Sequence, residues 1–355
     1  MEWVRGDTIG YGSFGTVNLA IQGKSSVQGS SALMAVKSAA TFDAGSLKNE
    51  KAALDQIGSC PEIIRCLGNN YSFENGEDLY NVFLEFASKG SLADQVKRNS
   101  GGFGESDVRR HTRSILKGLR HIHAKGFAHC DIKLQNILGF DNGGVKIADF
   151  GLAKKSGEAK KFEIRGTPLY MAPESVTESE YGSEADIWAL GCAVVEMATG
   201  KPAWNLEKQS NIAALMIKIG LGDESPEIPD NFSKEGKDFL GKCFVKDPRN
   251  RWTAEMLLDH PFVAGDDAVT LNCSVELSTS PRGPLDFPEW ISVQSTTSPS
   301  TTPASSSFSA LSSCWVSSPS DRIHQLASNQ VPNWSVSESS WLVVRADEFS
   351  SIVND

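Results

Sequence analysis

No two of the chain's seven cysteines form a C-x-x-C pair; Cys60, Cys66, Cys130, Cys192, Cys243, Cys273 and Cys314 are odd in number and widely spread. That pattern argues against a disulfide framework and a zinc site and suits a reducing compartment. Long apolar runs are missing too, so nothing in the sequence reads as a helix spanning a bilayer. The opening Met1-Glu2-Trp3-Val4-Arg5 lacks both the apolar stretch of a signal peptide and the glycine of a myristoylation site. The expectation is a soluble intracellular protein, cytoplasmic with nuclear entry left open, and without a membrane partner. Basic excess is absent as well: the formal charge is -10, and an acidic balance excludes a nucleic-acid footprint. No internal repeats occur.

With 355 residues, 40% of them hydrophobic, the chain can build a sizeable core. The charge is uneven, because ten acids face only three bases after Val263. From about Gly265 serine, threonine and proline dominate, and most of 264–355 is expected to be disordered. Trp334 and Trp341-Leu342-Val343-Val344-Arg345 form an apolar island there. It reads either as a docking motif for a tail-binding regulator or as an element added to the surface of the folded part. The domain reading is therefore a catalytic unit over 1–263 followed by a tail over 264–355.

The chain is organised around His129-Cys130-Asp131-Ile132-Lys133-Leu134-Gln135-Asn136, followed by Asp149-Phe150-Gly151. An acid, a lysine two places on and an amide three beyond that make a phosphoryl-transfer loop, with the second acid as a metal ligand. Such transfer depends on in-line positioning and on neutralising charge along a triphosphate. Asp131 would orient an acceptor hydroxyl and take its proton. Asn136 and Asp149 would hold Mg²⁺, a hard cation that takes oxygen ligands and keeps part of its water. Lys133, on the face of Asp131, can reach the transferring phosphate and argues for serine or threonine acceptors. Either tripeptide alone would pass for a polar turn; the two in this order do not.

Upstream, Ile9-Gly10-Tyr11-Gly12-Ser13-Phe14-Gly15-Thr16-Val17 carries G-x-G-x-x-G-x-V, whose glycines admit phosphates close to backbone amides. Val17, Leu19 and Ile21 then alternate with polar or small residues, so the loop joins two strands rather than opening a helix. A Gly/Ser-rich connection from Gly23 to Ser31 leads to the short strand Leu33-Met34-Ala35-Val36-Lys37, whose lysine would reach the α- and β-phosphates. The segment from Ser46 to Ile57 has a helical stripe of Ala53, Leu54 and Ile57. Glu50 on this helix is the first choice to pair with Lys37, and Glu62 the second. Leu79 to Phe86 reads as a buried strand entering a hinge at Ala87-Ser88-Lys89-Gly90. Leu84 would lie behind the adenine, and backbone groups near Glu85 and Ala87 would meet its edge.

Val108, Thr112, Ile115, Leu116, Leu119, Ile122 and His123 mark an amphipathic helix. His121 and His123 read as packing or surface residues rather than ligands. Downstream of Asp149, Gly166-Thr167-Pro168-Leu169-Tyr170-Met171-Ala172-Pro173-Glu174 would dock a protein substrate. Ile187 to Val195 is almost uninterruptedly apolar, a helix buried on all sides, and Asp186 at its start would fix the backbone of the catalytic loop. Arg251 is the expected partner of Glu174, and Asp259-His260-Pro261-Phe262 closes the folded part.

In order, these motifs cover Met1 to about Val263 and resemble the eukaryotic protein kinase family, most of all plant MEKK-like MAP kinase kinase kinases. The resemblance implies an α+β, two-lobed fold, a small β-rich N-lobe over a larger helical C-lobe, with ATP between them. It implies that Ile9, Gly10, Gly12, Gly15, Val17, Ala35, Lys37, Glu50, Glu85, Ala87 and Leu138 form the nucleotide site. Asp131, Lys133 and Lys37 would be catalytic, with MAP kinase kinases as substrates in a stress or hormone cascade. Cys130 departs from the pattern: an arginine usually stands there and meets a phosphorylated activation loop, a charge-assisted pair that cysteine cannot make. The alternative is a pseudokinase or scaffold acting through its fold and tail. Such proteins typically lack one of the roles that Lys37, Asp131, Asn136 and Asp149 fill here.

Overall fold

Short alternating segments near the N-terminus build a sheet, and longer apolar stripes beyond residue 90 build helices that pack on one another. The computed structural model describes residues 3–12, 15–22, 33–99, 101–157, 164–204 and 212–264. The Gly23 to Ser31 connection, Ser13 and Phe14 of the glycine loop, and the acidic stretch with its tryptophan island lie outside the described residues.

Strands β1 (Trp3–Gly12), β2 (Gly15–Gln22) and β3 (Leu33–Ala40) are followed by helix α1 (Gly45–Ile57), then β4 (Cys66–Glu74) and β5 (Glu77–Glu85). They form a five-stranded sheet in the order β1-β2-β3-β5-β4, antiparallel throughout. Directly opposed residues share a face of a sheet. Val17, Lys37 and Val82 are opposed across β2, β3 and β5 and so lie on one face, while Ser38, Asn81 and Asn70 lie on the other. Leu47, Glu50, Ala53, Leu54 and Ile57 are the buried side of α1, whose turns bring Glu50 in line with the apolar stripe.

Helix α2 (Leu92–Arg98) starts at a capping box in which Ser91 and Asp94 bond each other's backbone amides. The long α3 (Glu105–Ala124) runs through the core to β6 (Phe127–Ala128), β7 (Ile137–Gly139), β8 (Val145–Ile147) and β9 (Lys154–Lys155). β6 pairs with β9 and β7 with β8, so the catalytic loop and the Asp149 turn are each held between paired strands. Next come α4 (Pro173–Thr177), α5 (Ser183–Thr199), α6 (Ile212–Leu221), α7 (Lys234–Cys243), α8 (Ala254–Leu258) and α9 (Pro261–Ala264). Ala185 through Val195 on α5 are all buried, as the uninterrupted apolar run requires. The architecture is thus α+β, a β-rich lobe followed by a helical lobe, as the resemblance implies. Among the described residues no helix is long and apolar enough to cross a membrane.

Candidate active site

The loop from His129 to Asn136 is fixed from below by a buried carboxylate. Asp186, 1% exposed, accepts the amides of His129 (Oδ2, 2.8 Å) and Cys130 (Oδ1, 2.9 Å). A third bond ties Oδ2 to His123 Nε2 at 2.9 Å. A carboxylate this deep is tolerated because each oxygen is hydrogen-bonded. The His129 ring bonds the carbonyl of Ala148 at 3.1 Å and meets Phe150 edge-on at 4.8 Å, which joins the loop to the Asp149 turn. Cys130 and Asp149 have left-handed backbones, φ 67° and 64°. Such strain, about 1–3 kcal/mol for each residue, persists where surrounding contacts over-determine it.

Asp131 stands among donors. Its Oδ1 accepts the hydroxyl of Thr167 at 2.8 Å, and its Oδ2 accepts Lys133 Nζ at 2.8 Å and Asn136 Nδ2 at 3.0 Å. Lys133 Nζ also donates to Thr167 Oγ1 at 2.8 Å, so acid, lysine and threonine close a triangle. The threonine reaches them because the chain turns sharply at Gly166, where φ is +95° and a Cβ would fall 2.5 Å from the Cys130 carbonyl oxygen. Asn136 Nδ2 also donates to the Asp131 carbonyl at 2.8 Å, which leaves its oxygen as the atom available to a cation.

Lys37 joins the lobes. Its Nζ donates to Glu50 Oε2 at 2.8 Å and to Asp149 Oδ1 at 2.9 Å. Burial by itself would lower the lysine's pKa, but the two carboxylates, Glu50 before Asp149, outweigh it and hold the ammonium above its usual range. Burial likewise penalises the Asp149 anion, and Lys37 reverses that, so the carboxyl stays below the usual carboxylate range. Glu62, the second choice as lysine partner, instead accepts the Cys60 thiol at 3.2 Å. Beside Glu50, Asn49 donates to the carbonyls of Gly151 at 3.0 Å and Ala153 at 3.1 Å. Helix α1 is therefore swung inward and bonded to the segment that follows Asp149.

Of the residues singled out for the nucleotide, Ile9, Gly10 and Gly12 stand on β1 and Val17 on β2, and Ala35 lies between Leu19 and Leu84 in the sheet register. Gly15, φ +143°, has no room for a side chain, since a Cβ would lie 2.2 Å from the Ser38 carbonyl oxygen. Leu138 on β7 is held to the hinge by its bridge to Ser91 and by the Gly139 amide on the Gly90 carbonyl, 2.8 Å. At the hinge the Glu85 amide is already given to the Arg65 carbonyl, 3.0 Å, and its carboxylate takes Lys146 at 2.6 Å and the Arg65 amide at 2.7 Å. The Ala87 carbonyl takes the amide of Gly90 at 3.3 Å.

The Protein kinase domain family matches residues 3–263. The chain belongs to the protein kinase family. It is similar to mitogen-activated protein kinase kinase kinase 20 of Arabidopsis thaliana, 53% identical over 97% of this chain and 100% of that protein. Kinase kinase kinases 17 and 18 of the same plant are 37% and 39% identical, each over 83% of this chain, and 78% and 86% of their own lengths are covered.

In this kinase the residues singled out from sequence converge: Lys37, Glu50 and Asp149 form one cluster, and Asp131, Lys133, Asn136 and Thr167 another. Asn49 and the bond from His123 to Asp186 are additions. By its spacing His123 falls on the apolar face of α3, and nothing in that spacing signals the acid it meets 63 residues later. Cys130 is no nucleophile. Burial first, then the Asp186 carboxylate, push its thiol well above the ordinary range.

Proposed function

We propose that this kinase is a serine/threonine protein kinase of MAP kinase kinase kinase type, using Mg²⁺ and ATP to phosphorylate a MAP kinase kinase. The observation that carries the reading is the Lys37–Glu50 ion pair formed with Asp149 beside it, since phosphoryl transfer needs that pair made and that aspartate within reach of the cation. Likeness to the kinase kinase kinases of Arabidopsis supports the substrate class.

The donor set fits the cation. Asp149 offers the oxygen not held by Lys37, and Asn136 offers its amide oxygen, because its nitrogen is spent on Asp131. Two hard oxygens beside a triphosphate suit Mg²⁺. When bound, MgATP supplies the phosphoryl group and the charge neutralisation along it. Lys37 would hold the phosphates and keep them in place for transfer. Asp131 orients the acceptor hydroxyl and takes its proton as that oxygen bonds to the γ-phosphorus and the bond to ADP breaks. Lys133 neutralises charge on the moving group, and Thr167 keeps acid and lysine in register. The glycine loop, with Ile9, Val17, Ala35 and Leu138, encloses the nucleotide, and the hinge from Glu85 to Ala87 reads its edge.

The test is phosphorylation of a panel of catalytically inert MAP kinase kinases by the full-length chain with MgATP. Transfer to serine or threonine in at least one of them is expected. Asp131→Asn should keep nucleotide binding and remove almost all turnover. A wild-type chain that binds MgATP but transfers nothing would favour the scaffold reading instead.

A further inference from the structure

The face of the sheet turned away from the cleft carries a polar cluster around one guanidinium. Arg5 on β1 donates from Nε to Glu74 Oε2 (2.7 Å), and from Nη1 to Asn18 Oδ1 (3.3 Å) and Ser38 Oγ (3.0 Å). Its Nη2 donates to Glu74 Oε1 (2.9 Å) and Asn81 Oδ1 (3.0 Å). An arginine has five N–H donors, and all are used. The acceptors stand on β2, β3, β4 and β5, so one side chain on the first strand touches every other strand of the sheet.

That contact has a geometric consequence. β1 and β4 are opposite edges of the sheet, and flat strands at their ordinary spacing would put those edges about 19 Å apart. A direct bond between Arg5 and Glu74 therefore requires the sheet to curl into a trough around the guanidinium. The acceptors are held in turn. Asn81, 0% exposed, also accepts Ser38 Oγ (2.6 Å) and donates to Asn70 (3.1 Å) and Ser72 (2.8 Å). The hydrogen bond from Arg5 outweighs burial and holds the Glu74 carboxyl below its usual range, so the pair is charged at neutral pH.

Back to back with this cluster lie the groups that face the nucleotide. Asn18 follows Val17, and Ser38 follows Lys37, with side chains on opposite faces. Meanwhile β1, which leads into the glycine loop, pairs irregularly with β2, with register shifts between Arg5 and Thr8 and between Thr8 and Gly10. Such shifts bend and re-aim the strand before Gly10, beyond which Gly10, Tyr11 and Gly12 pair regularly with Val17, Thr16 and Gly15, so the direction in which β1 enters the loop is set near Arg5.

We infer that Arg5 is a positioning residue for the nucleotide, setting the curl of the sheet and with it the height of the glycine loop, Val17 and Lys37 over the triphosphate. The inference rests on the nucleotide-binding reading above. Its measurement is calorimetric binding of Mg²⁺ with the non-hydrolysable analogue AMP-PNP to the full-length chain, well below the melting temperature. Arg5→Met keeps a shorter unbranched apolar stem and removes all five donors. It should weaken binding about tenfold, the scale of a small misplacement in a preorganised site. In phosphorylation assays KM for ATP should rise with little change in kcat. Glu74→Gln, which keeps shape and loses charge, should weaken binding in the same direction and serves alone if Arg5→Met does not fold. Lower melting temperatures with unchanged affinity in the folded variant would overturn the inference. A wild-type chain that fails to bind the analogue would instead overturn the nucleotide-binding reading.

Discussion

Thr167 donates its hydroxyl to Asp131 Oδ1 at 2.8 Å while accepting Lys133 Nζ at the same distance. The loop that begins at Gly166 and the catalytic loop thus meet through one hydroxyl. A hydrogen bond to a charged group contributes about 1.5–3 kcal/mol, which at the transition state is roughly 10- to 100-fold in rate. Thr167→Ala should lose that much kcat with ATP affinity unchanged, and Thr167→Ser should keep most of it. Equal activity of the alanine and serine variants would show that the hydroxyl does not position Asp131.

Glu174 and Arg251 form a buried fork, with Nη1 on Oε1 at 2.7 Å and Nη2 on Oε2 at 3.0 Å. The arginine is 0% exposed in its side chain, also donates to the carbonyls of Glu184, Val245 and Lys246, and lies 5.2 Å from the centre of the Trp188 ring. Removing either partner strands a buried charge, at about 3–5 kcal/mol. Glu174→Ala and Arg251→Ala should each cost that in denaturant unfolding. The double variant should cost much less than the sum, because each change already destroys the same contact; additive losses would mean that the fork does not couple them.

What the sequence made legible was chemistry written as short motifs and cores written as period. The Asp131 loop, the Asp149 turn, the glycine loop and α5 are all legible in the sequence, and the place of Glu50 on the stripe of α1 marks it as the partner of Lys37. β4 went unread, since Cys66 to Glu74 mixes exposed aromatics such as Tyr71 and Phe73 with inward polar residues such as Ser72 and Glu74. There the inner face is polar because it serves Arg5, so hydropathy alternation is inverted. Asn49 and His123 escaped for another reason: their partners lie across the fold, and neither residue type is unusual on a helix.

His111 makes stability depend on pH. It is 6% exposed beside Phe103, and its Nδ1 has no hydrogen-bond partner among the described residues. Burial first, then the neighbouring Arg110, bring its pKa down to about 4, whereas Asp107 acts weakly the other way. The unfolded chain, with a histidine near its ordinary value, binds the extra proton between the two pKa values. Stability from this group is therefore complete above about pH 6.5 and is lost as pH falls toward 4, roughly 2 kcal/mol by pH 5. His111→Phe should flatten the difference between urea midpoints at pH 5 and 7.5. An unchanged difference would assign the acid sensitivity to other groups.

Control without a loop phosphate follows from Cys130 and Asn49 together. A thiol gives a phosphate no charge-assisted partner at the position next to Asp131. Besides Tyr170, the only hydroxyl residues between Asp149 and Glu174 are Ser156 and Thr167, and Thr167 is engaged. The start of the segment is nevertheless anchored: Asn49 bonds the carbonyls of Gly151 and Ala153, β9 pairs with β6, and the Ser156 amide donates to Gly126 at 2.7 Å. At its far end the Arg165 amide donates to the Tyr181 hydroxyl at 2.8 Å. Of the other cations that could meet a phosphate on Ser156, Lys154 and Lys155 are on β9, while Lys160 and Lys161 lie outside the described residues. Ser156→Ala should accordingly keep most of its kcat, and phosphatase treatment of the full-length chain should change little. Asn49→Ala should lower kcat about tenfold, since two hydrogen bonds holding α1 inward are worth at least the ~1.4 kcal/mol that a factor of ten requires. If phosphatase silences the kinase and Ser156→Asp restores it, the neighbouring lysines have taken over the arginine's task and Asn49 is not enough to hold the segment.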